Sequence, residues 1–267
     1  MKLTDTHAHL DGFIKNGALA ETLERAKRAG VERVITCSTN PADWISYRDA
    51  AEKHPEIFWQ AGIHPEDISD DSDTALDALP SLFVGGGRLP VAVGEIGLDF
   101  HFLPDDPEES ERKKLRQREI FARQLRIAAD LGLRVCVHAR GAIDECIAEI
   151  ERARLDFSNA VFHCFAGSPE KLAELNERGA RASFTGIITY RNAGEMRAAM
   201  LAQGLGKLML ETDCPYLAPV PRRGKTCEPA MLADTARAAA EIFGVSPEYI
   251  AAKTEENAEE FFNLSQK

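Results

Sequence analysis

Positive charge is in short supply in this chain: 32 Lys and Arg stand against 43 Asp and Glu, a formal net charge of −11. A protein that grips nucleic acid through charge alone normally presents a basic surface, so the balance argues against that class. One basic cluster, Arg222-Arg223-Gly224-Lys225 in a Pro-rich loop, still leaves room for a local phosphate site. The chain also lacks any run approaching the ~20 consecutive apolar residues of a membrane helix, so no spanning segment is expected. The first strand pattern begins almost at Met1, which argues against a secretory leader. Six cysteines are scattered without a Cys-x-x-Cys pair, and in a leaderless chain of this size they read as reduced thiols in the cytoplasm. Missing too are a glycine-rich phosphate loop after the first strand, internal repeats, low-complexity runs and linkers. A dinucleotide fold is therefore disfavoured, and one domain over residues 1–267 is expected.

What the chain does have is alternation. Apolar, β-branched runs occur at Leu3–His9, Glu32–Cys37, Ile57–His64, Val91–Leu98, Arg134–Ala139, Asn159–Phe165, Arg181–Ile187 and Lys207–Asp213. Amphipathic helical stretches lie between them. Asn40-Pro41, Ser168-Pro169 and Ser246-Pro247 each set a capping side chain before a proline at the first helical position. Gly30, Gly132 and Gly179 mark helix ends. The longest helix, about Glu108 to Leu131, spaces Phe121, Leu125 and Ala128 into one apolar stripe. Eight strands alternating with helices form either a closed barrel or an open doubly wound sheet. The polar residues at the strand ends decide between them.

His7 and His9 share a face of the first strand because alternate side chains point the same way. Glu95, His138, His163 and Asp213 each close a later apolar run. An ionisable ring at the end of a nearly continuous apolar strand is costly unless something coordinates it. In a barrel the ends of strands one, four, five, six and eight ring a single mouth; an open sheet would spread them too far apart. The expectation is therefore a single-domain (β/α)₈ TIM barrel with a metal site at its C-terminal mouth. Six ligands exceed one tetrahedral ion, so two divalent ions bridged by Glu95 are the economical arrangement. Such a pair can flank a scissile ester and activate water. Four imidazoles favour zinc, manganese, nickel or iron over magnesium.

Several segments carry a closer likeness. Thr4-Asp-Thr-His-Ala-His-Leu-Asp, Gly94-Glu-Ile-Gly-Leu-Asp, Val137-His-Ala-Arg, His163-Cys-Phe-Ala-Gly and Glu211-Thr-Asp-Cys-Pro-Tyr-Leu resemble the TatD family of metal-dependent deoxyribonucleases. Phe184-Thr-Gly, Tyr190-Arg-Asn-Ala, Ala218-Pro-Val-Pro and Arg223-Gly-Lys look like further family blocks, and the likeness runs in order to about residue 230. The resemblance implies an amidohydrolase-like barrel in which His7, His9, Glu95 and Asp213 hold one ion and Glu95, His138 and His163 the other. It also implies Mg²⁺-dependent 3′→5′ exonuclease action on DNA, at single strands or 3′ ends. The chain departs from the family pattern at Phe100-His101-Phe102, where tyrosines are frequent, and at Cys227, where Asn is common.

The functional expectation is phosphodiester hydrolysis by a metal-activated water, with Glu95 and Asp213 as catalytic carboxylates and Asp213 orienting or deprotonating the water. The ions would be magnesium, manganese or zinc. His64, Arg140, Arg191, Arg223 and Lys225 are the candidate substrate contacts, cations suiting an anionic oxygen. Glu211 shares a face with Asp213 and is read as orienting a ligand, His54 as a helix-terminus histidine, and Cys164 and Cys214 as packing on the opposite parity. The rival reading is a metal-dependent carboxylic ester or amide hydrolase, for example of an aminoacyl-RNA ester or a lactone. A non-enzymatic binding module on the same scaffold is the third.

Overall fold

Each strand of this chain pairs in parallel with the next, in the simple order β1 to β8. The computed structural model describes residues 1–266. In chain order the elements are β1 (Leu3–Ala8), α1 (Asp11–Lys15), α2 (Leu19–Arg28), β2 (Val31–Cys37), α3 (Pro41–Lys53), β3 (Ile57–Ala61), α4 (Ser72–Ala78), β4 (Ala92–Asp99), α5 (Pro107–Leu131), β5 (Val135–Arg140), α6 (Ile143–Ala153), β6 (Ala160–Phe162), α7 (Pro169–Arg178), β7 (Arg181–Phe184), α8 (Gly194–Gln203), β8 (Met209–Leu210), α9 (Leu232–Phe243) and α10 (Pro247–Phe262). Two backbone hydrogen bonds tie the last strand's exit to the first: Asp213 N–H donates to His7 O at 2.9 Å and His9 N–H to Cys214 O at 2.8 Å. The expected (β/α)₈ barrel is the result.

The helix boundaries follow the local chemistry of the sequence. Asn40 accepts from Ala42 N–H, Ser168 from Lys171 N–H and Ser246 from Tyr249 N–H, each ahead of a proline in the first turn. Gly132 and Gly179 stop α5 and α7 in left-handed conformations, which glycine adopts without a Cβ penalty. No helix among the described residues is long and apolar enough to cross a membrane.

Alternation along the strands divides the core into two layers. Val34 and Trp59 face outward, into the layer between strands and helices, where Phe121, Leu125 and Ala128 of α5 also pack. Ile35, Phe58, Ala92, Val161 and Met209 face inward. Phe261, Phe262 and Leu264, at the end of α10 and just beyond, pack on those inward residues and close the floor of the barrel. The floor being filled, the opposite rim, at the strand C-termini, is where a ligand can enter.

The strands are shorter than the apolar runs. β3 stops at Ala61, β6 at Phe162 and β8 at Leu210. His64, His163 and Asp213 therefore sit in the turns that follow, not on ladders as expected. Cys164 and Asp213 adopt positive φ values of 45° and 56°, so simple in–out parity does not survive there.

Candidate metal centre

Glu95 sits at the middle of the mouth, almost fully buried at 2% exposure. Its strand is irregular: the β4–β5 ladder skips between Val93 and Ile96. Glu95 thus reaches the centre through a bulge and not through regular in–out alternation. Further along β4, Gly97 has φ +147°, and a Cβ there would lie 1.9 Å from His138 O. Only glycine lets β4 approach β5 closely enough to set Glu95 beside His138.

The two carboxylate oxygens of Glu95 face different sets of side chains. Oε2 lies 3.2 Å from His7 Nε2 and 3.5 Å from His9 Nε2. Asp213 Oδ1 joins that set, 3.3 Å from His9 Nε2 and 3.7 Å from His7 Nε2, and the two imidazole nitrogens are 3.3 Å apart. Oε1 lies 2.8 Å from His138 Nδ1 and 2.7 Å from His163 Nε2; those nitrogens are 3.2 Å apart. All six sequence-derived candidate ligands converge.

Donor atoms at the corners of a tetrahedron around a zinc-sized ion are about 3.3 Å apart, given metal–nitrogen lengths of about 2.0–2.1 Å. The observed spacings of the first set bracket that value. The outer nitrogens strengthen the case, because a ligating histidine ordinarily has its other nitrogen held by a carbonyl or carboxylate. His9 Nδ1 lies 3.1 Å from Cys37 O and His138 Nε2 lies 3.1 Å from Asp99 Oδ2. His163 Nδ1 faces Glu211 Oε1 at 3.5 Å, longer than a hydrogen bond prefers. Glu211 is anchored in turn by Ser183 Oγ and by Cys164 N–H. His7 is the exception: its Nδ1 meets two thiols, Cys37 Sγ and Cys136 Sγ.

The charge on these groups follows from the packing. Burial disfavours the ionised form of Glu95, but His163 and His7, with the hydrogen bond from His138, outweigh it and hold the carboxyl well below its ordinary range. Burial pushes His64 down to about 4, so its imidazole is neutral at pH 7. Because Glu66 N–H donates to His64 Nδ1 at 3.1 Å, the proton of that neutral ring resides on Nε2. Nε2 lies 3.5 Å from Glu95 Oε1 and presents a donor, not a lone pair, to the centre.

A cavity of about 920 Å³ opens above these residues and is lined by His64 and Arg140 among others. Arg140 lies over the Phe102 ring, 4.6 Å from its centroid. Arg191, Arg223 and Lys225 do not line the cavity. Arg223 instead lies over Tyr190 at 4.5 Å, and all three cations are exposed on the surrounding loops. Cys164, expected to pack, lines the cavity, whereas Cys214 is buried as expected. His54 caps the C-terminus of α3. Sequence reasoning missed Asp99 and the thiol pair Cys37 and Cys136. Asp99 carried a signal, being one more acid at the end of an apolar strand; the cysteines carried none.

A parallel barrel whose strand ends gather histidines and carboxylates around a central glutamate is the architecture of metal-dependent hydrolases. Comparison with known proteins gives the family: residues 4–263 match the model of the TatD related DNases. The metal-dependent hydrolase YcfH of Escherichia coli is 33% identical over 267 residues, covering 99% of this chain and 97% of that protein. The 3′-5′ ssDNA/RNA exonuclease TatD of Citrobacter koseri is 33% identical over 252 residues, covering 92% and 93%. The crystal structure of YJJV, a TatD homologue from Escherichia coli, superposes with a TM-score of 0.87 at 29% identity and covers 98% of both chains. The chain belongs to the TatD family and is a metal-dependent hydrolase.

Proposed function

We propose that the chain hydrolyses phosphodiester bonds of single-stranded nucleic acid from the 3′ end, with two divalent ions held at the barrel mouth. The observation that carries this reading is the division of Glu95, one oxygen toward His7, His9 and Asp213 and the other toward His138 and His163. Divalent ions bound there would supply Lewis-acid polarisation of a phosphoryl oxygen and lower the pKa of water. Manganese and zinc suit the imidazole-rich donor set better than magnesium does. Asp213, with one oxygen among the histidines, orients the attacking water and accepts its proton. The Nε2–H of His64 donates to a non-bridging oxygen, and the Arg140 guanidinium neutralises the charge that builds on phosphorus. Phe102, 55% exposed beneath Arg140, offers a face on which a base can stack. Arg191, Arg223 and Lys225 would meet nucleic acid only where it runs beyond the cavity. All six cysteines are free thiols, which supports a reducing compartment and hence the cytoplasm.

A second reading rests on the acidity of the mouth, where Asp11, Glu66 and Asp67 line the same cavity. An ester whose acyl part carries an ammonium, such as an aminoacyl ester of RNA, would find partners there. One experiment separates the two. Metal-free protein is reloaded with Mg²⁺, Mn²⁺ or Zn²⁺ and offered single-stranded DNA, RNA, a simple phosphodiester and an aminoacyl ester. Release of 3′-terminal nucleotides upholds the nuclease reading; turnover of the ester with intact nucleic acid overturns it.

A further inference from the structure

Below the mouth the barrel interior holds a second polar group that the proposed hydrolysis does not use. Cys37, at the end of β2, places Sγ 3.2 Å from His7 Nδ1. Cys136, in β5, places Sγ 3.3 Å from the same nitrogen. The two sulfurs and the nitrogen all lie within 4.8 Å of one another, and none of the three residues is more than 1% exposed. Gln60 is in register with Cys37 on the neighbouring strand, so its side chain shares the inward face. A methyl group on Gly94 would lie 2.3 Å from Gln60 Oε1 and 2.7 Å from Cys136 Cβ, which brings the carboxamide beside the Cys136 side chain. Gln60 is fully buried, yet neither its Oε1 nor its Nε2 has a hydrogen-bond partner. A buried carboxamide left unpaired is costly and ordinarily marks a bound ion or water.

The two cysteines are not placed for a disulfide. Strands β3 and β4 lie between β2 and β5, with neighbouring strands about 4.8 Å apart, whereas a disulfide needs Cα atoms within about 7 Å. The side chains instead converge on one imidazole nitrogen. Two sulfurs and an imidazole are the donors of a soft, thiophilic cation, and a carboxamide oxygen can complete four-coordination.

We propose that His7 Nδ1, Cys37 Sγ and Cys136 Sγ, with Gln60 Oε1, form a buried site for a thiophilic divalent cation of the zinc and cadmium class, beneath the mouth. Both thiol protons leave to solvent as the sulfurs bind. Because His7 Nε2 faces the mouth, the buried cation and an ion at the mouth compete for one imidazole, and each weakens the other. The site requires the thiols and stands whether or not the mouth cleaves nucleic acid.

The test is titration of metal-free protein with Cd²⁺, following the ultraviolet thiolate-to-cadmium charge-transfer band. The band should saturate at one equivalent. It should disappear in a Cys37→Ser, Cys136→Ser double variant and persist in a Cys146→Ser, Cys227→Ser control. A band that survives in the first variant overturns the proposal. Should that variant not fold, X-ray absorption at the cadmium edge of the wild type decides the matter. Two sulfurs in the coordination shell uphold the site, and a shell of nitrogen and oxygen alone removes it.

Discussion

Replacing Asp99 with Asn tests whether the outer nitrogens of the mouth histidines are held for ion binding. Asp99 Oδ1 accepts from His101 N–H at 2.8 Å, and Oδ2 lies 3.1 Å from His138 Nε2. Asn has one acceptor, and the His101 backbone donor retains it. The amide NH₂ is then aimed at His138 Nε2, which must carry a proton if Nδ1 is to offer its lone pair to an ion. Two donors at 3.1 Å repel, and the imidazole escapes by moving its proton to Nδ1, the nitrogen that faces Glu95. Removing such a supporting partner typically costs 10–100-fold in metal affinity, about 1.4–2.7 kcal/mol. Asp99→Ala removes the acceptor without supplying a donor and should cost less than Asn. The assay is competition between metal-free protein and a chromophoric chelator for Mn²⁺ or Zn²⁺, with circular dichroism to confirm folding. Wild-type affinity in Asp99→Asn, or a larger loss in Asp99→Ala, would refute the tautomer argument.

Glu95→Gln keeps the shape of the central side chain but not its charge; on the proposed two-ion reading, bound ions counted by elemental analysis should fall from two to at most one, with turnover lost and the fold kept. Phe262→Ala opens the barrel floor at a residue 1% exposed, which should cost about 3–5 kcal/mol in urea unfolding while ion content stays unchanged. Arg223→Glu combined with Lys225→Glu should weaken oligonucleotide binding and lower its salt dependence, by roughly 0.7 in log–log slope for each phosphate no longer neutralised. Unchanged cleavage at physiological salt would make this loop a solvated surface.

The barrel was legible because two periodicities agree along the whole chain: apolar runs that read as strands, and capped amphipathic segments that read as helices. The convergence of His7, His9, Glu95, His138, His163 and Asp213 was legible for the same reason, since strand ends in a barrel have only one place to meet. What strand parity could not supply is the local backbone. Glu95 arrives through a bulge, His163 and Asp213 stand in turns past short strands, and Cys164, itself in a left-handed conformation, lines the cavity instead of packing. Pairings across the barrel were equally hidden. Nothing in the spacing of Cys37 and Cys136, 99 residues apart, says that both point at His7, and nothing marks Gln60 as their neighbour. Side chains that meet across a closed sheet leave no periodic trace.

The charge of the mouth gives the ions a second duty on the proposed reading. Seven carboxylates line the cavity against Lys15 and Arg140, a formal balance of −5 with the imidazoles in the neutral form that ligates an ion. A phosphodiester entering that field would be repelled before any chemistry began. One divalent ion brings the balance to −3 and two bring it to −1, so an anionic substrate becomes tolerable only when both positions fill. The neutral His64 and the outlying Arg223 and Lys225 do not change that arithmetic inside the cavity. Binding of nucleic acid and loading of the centre are then one linked event, in which a chain with a net charge of −11 borrows the positive charge its own side chains lack. A substrate bearing an ammonium would face the opposite situation, attracted to the empty mouth and held less firmly as ions enter. The sign of the coupling between metal and substrate therefore separates the two hydrolytic readings more sharply than any single side chain does.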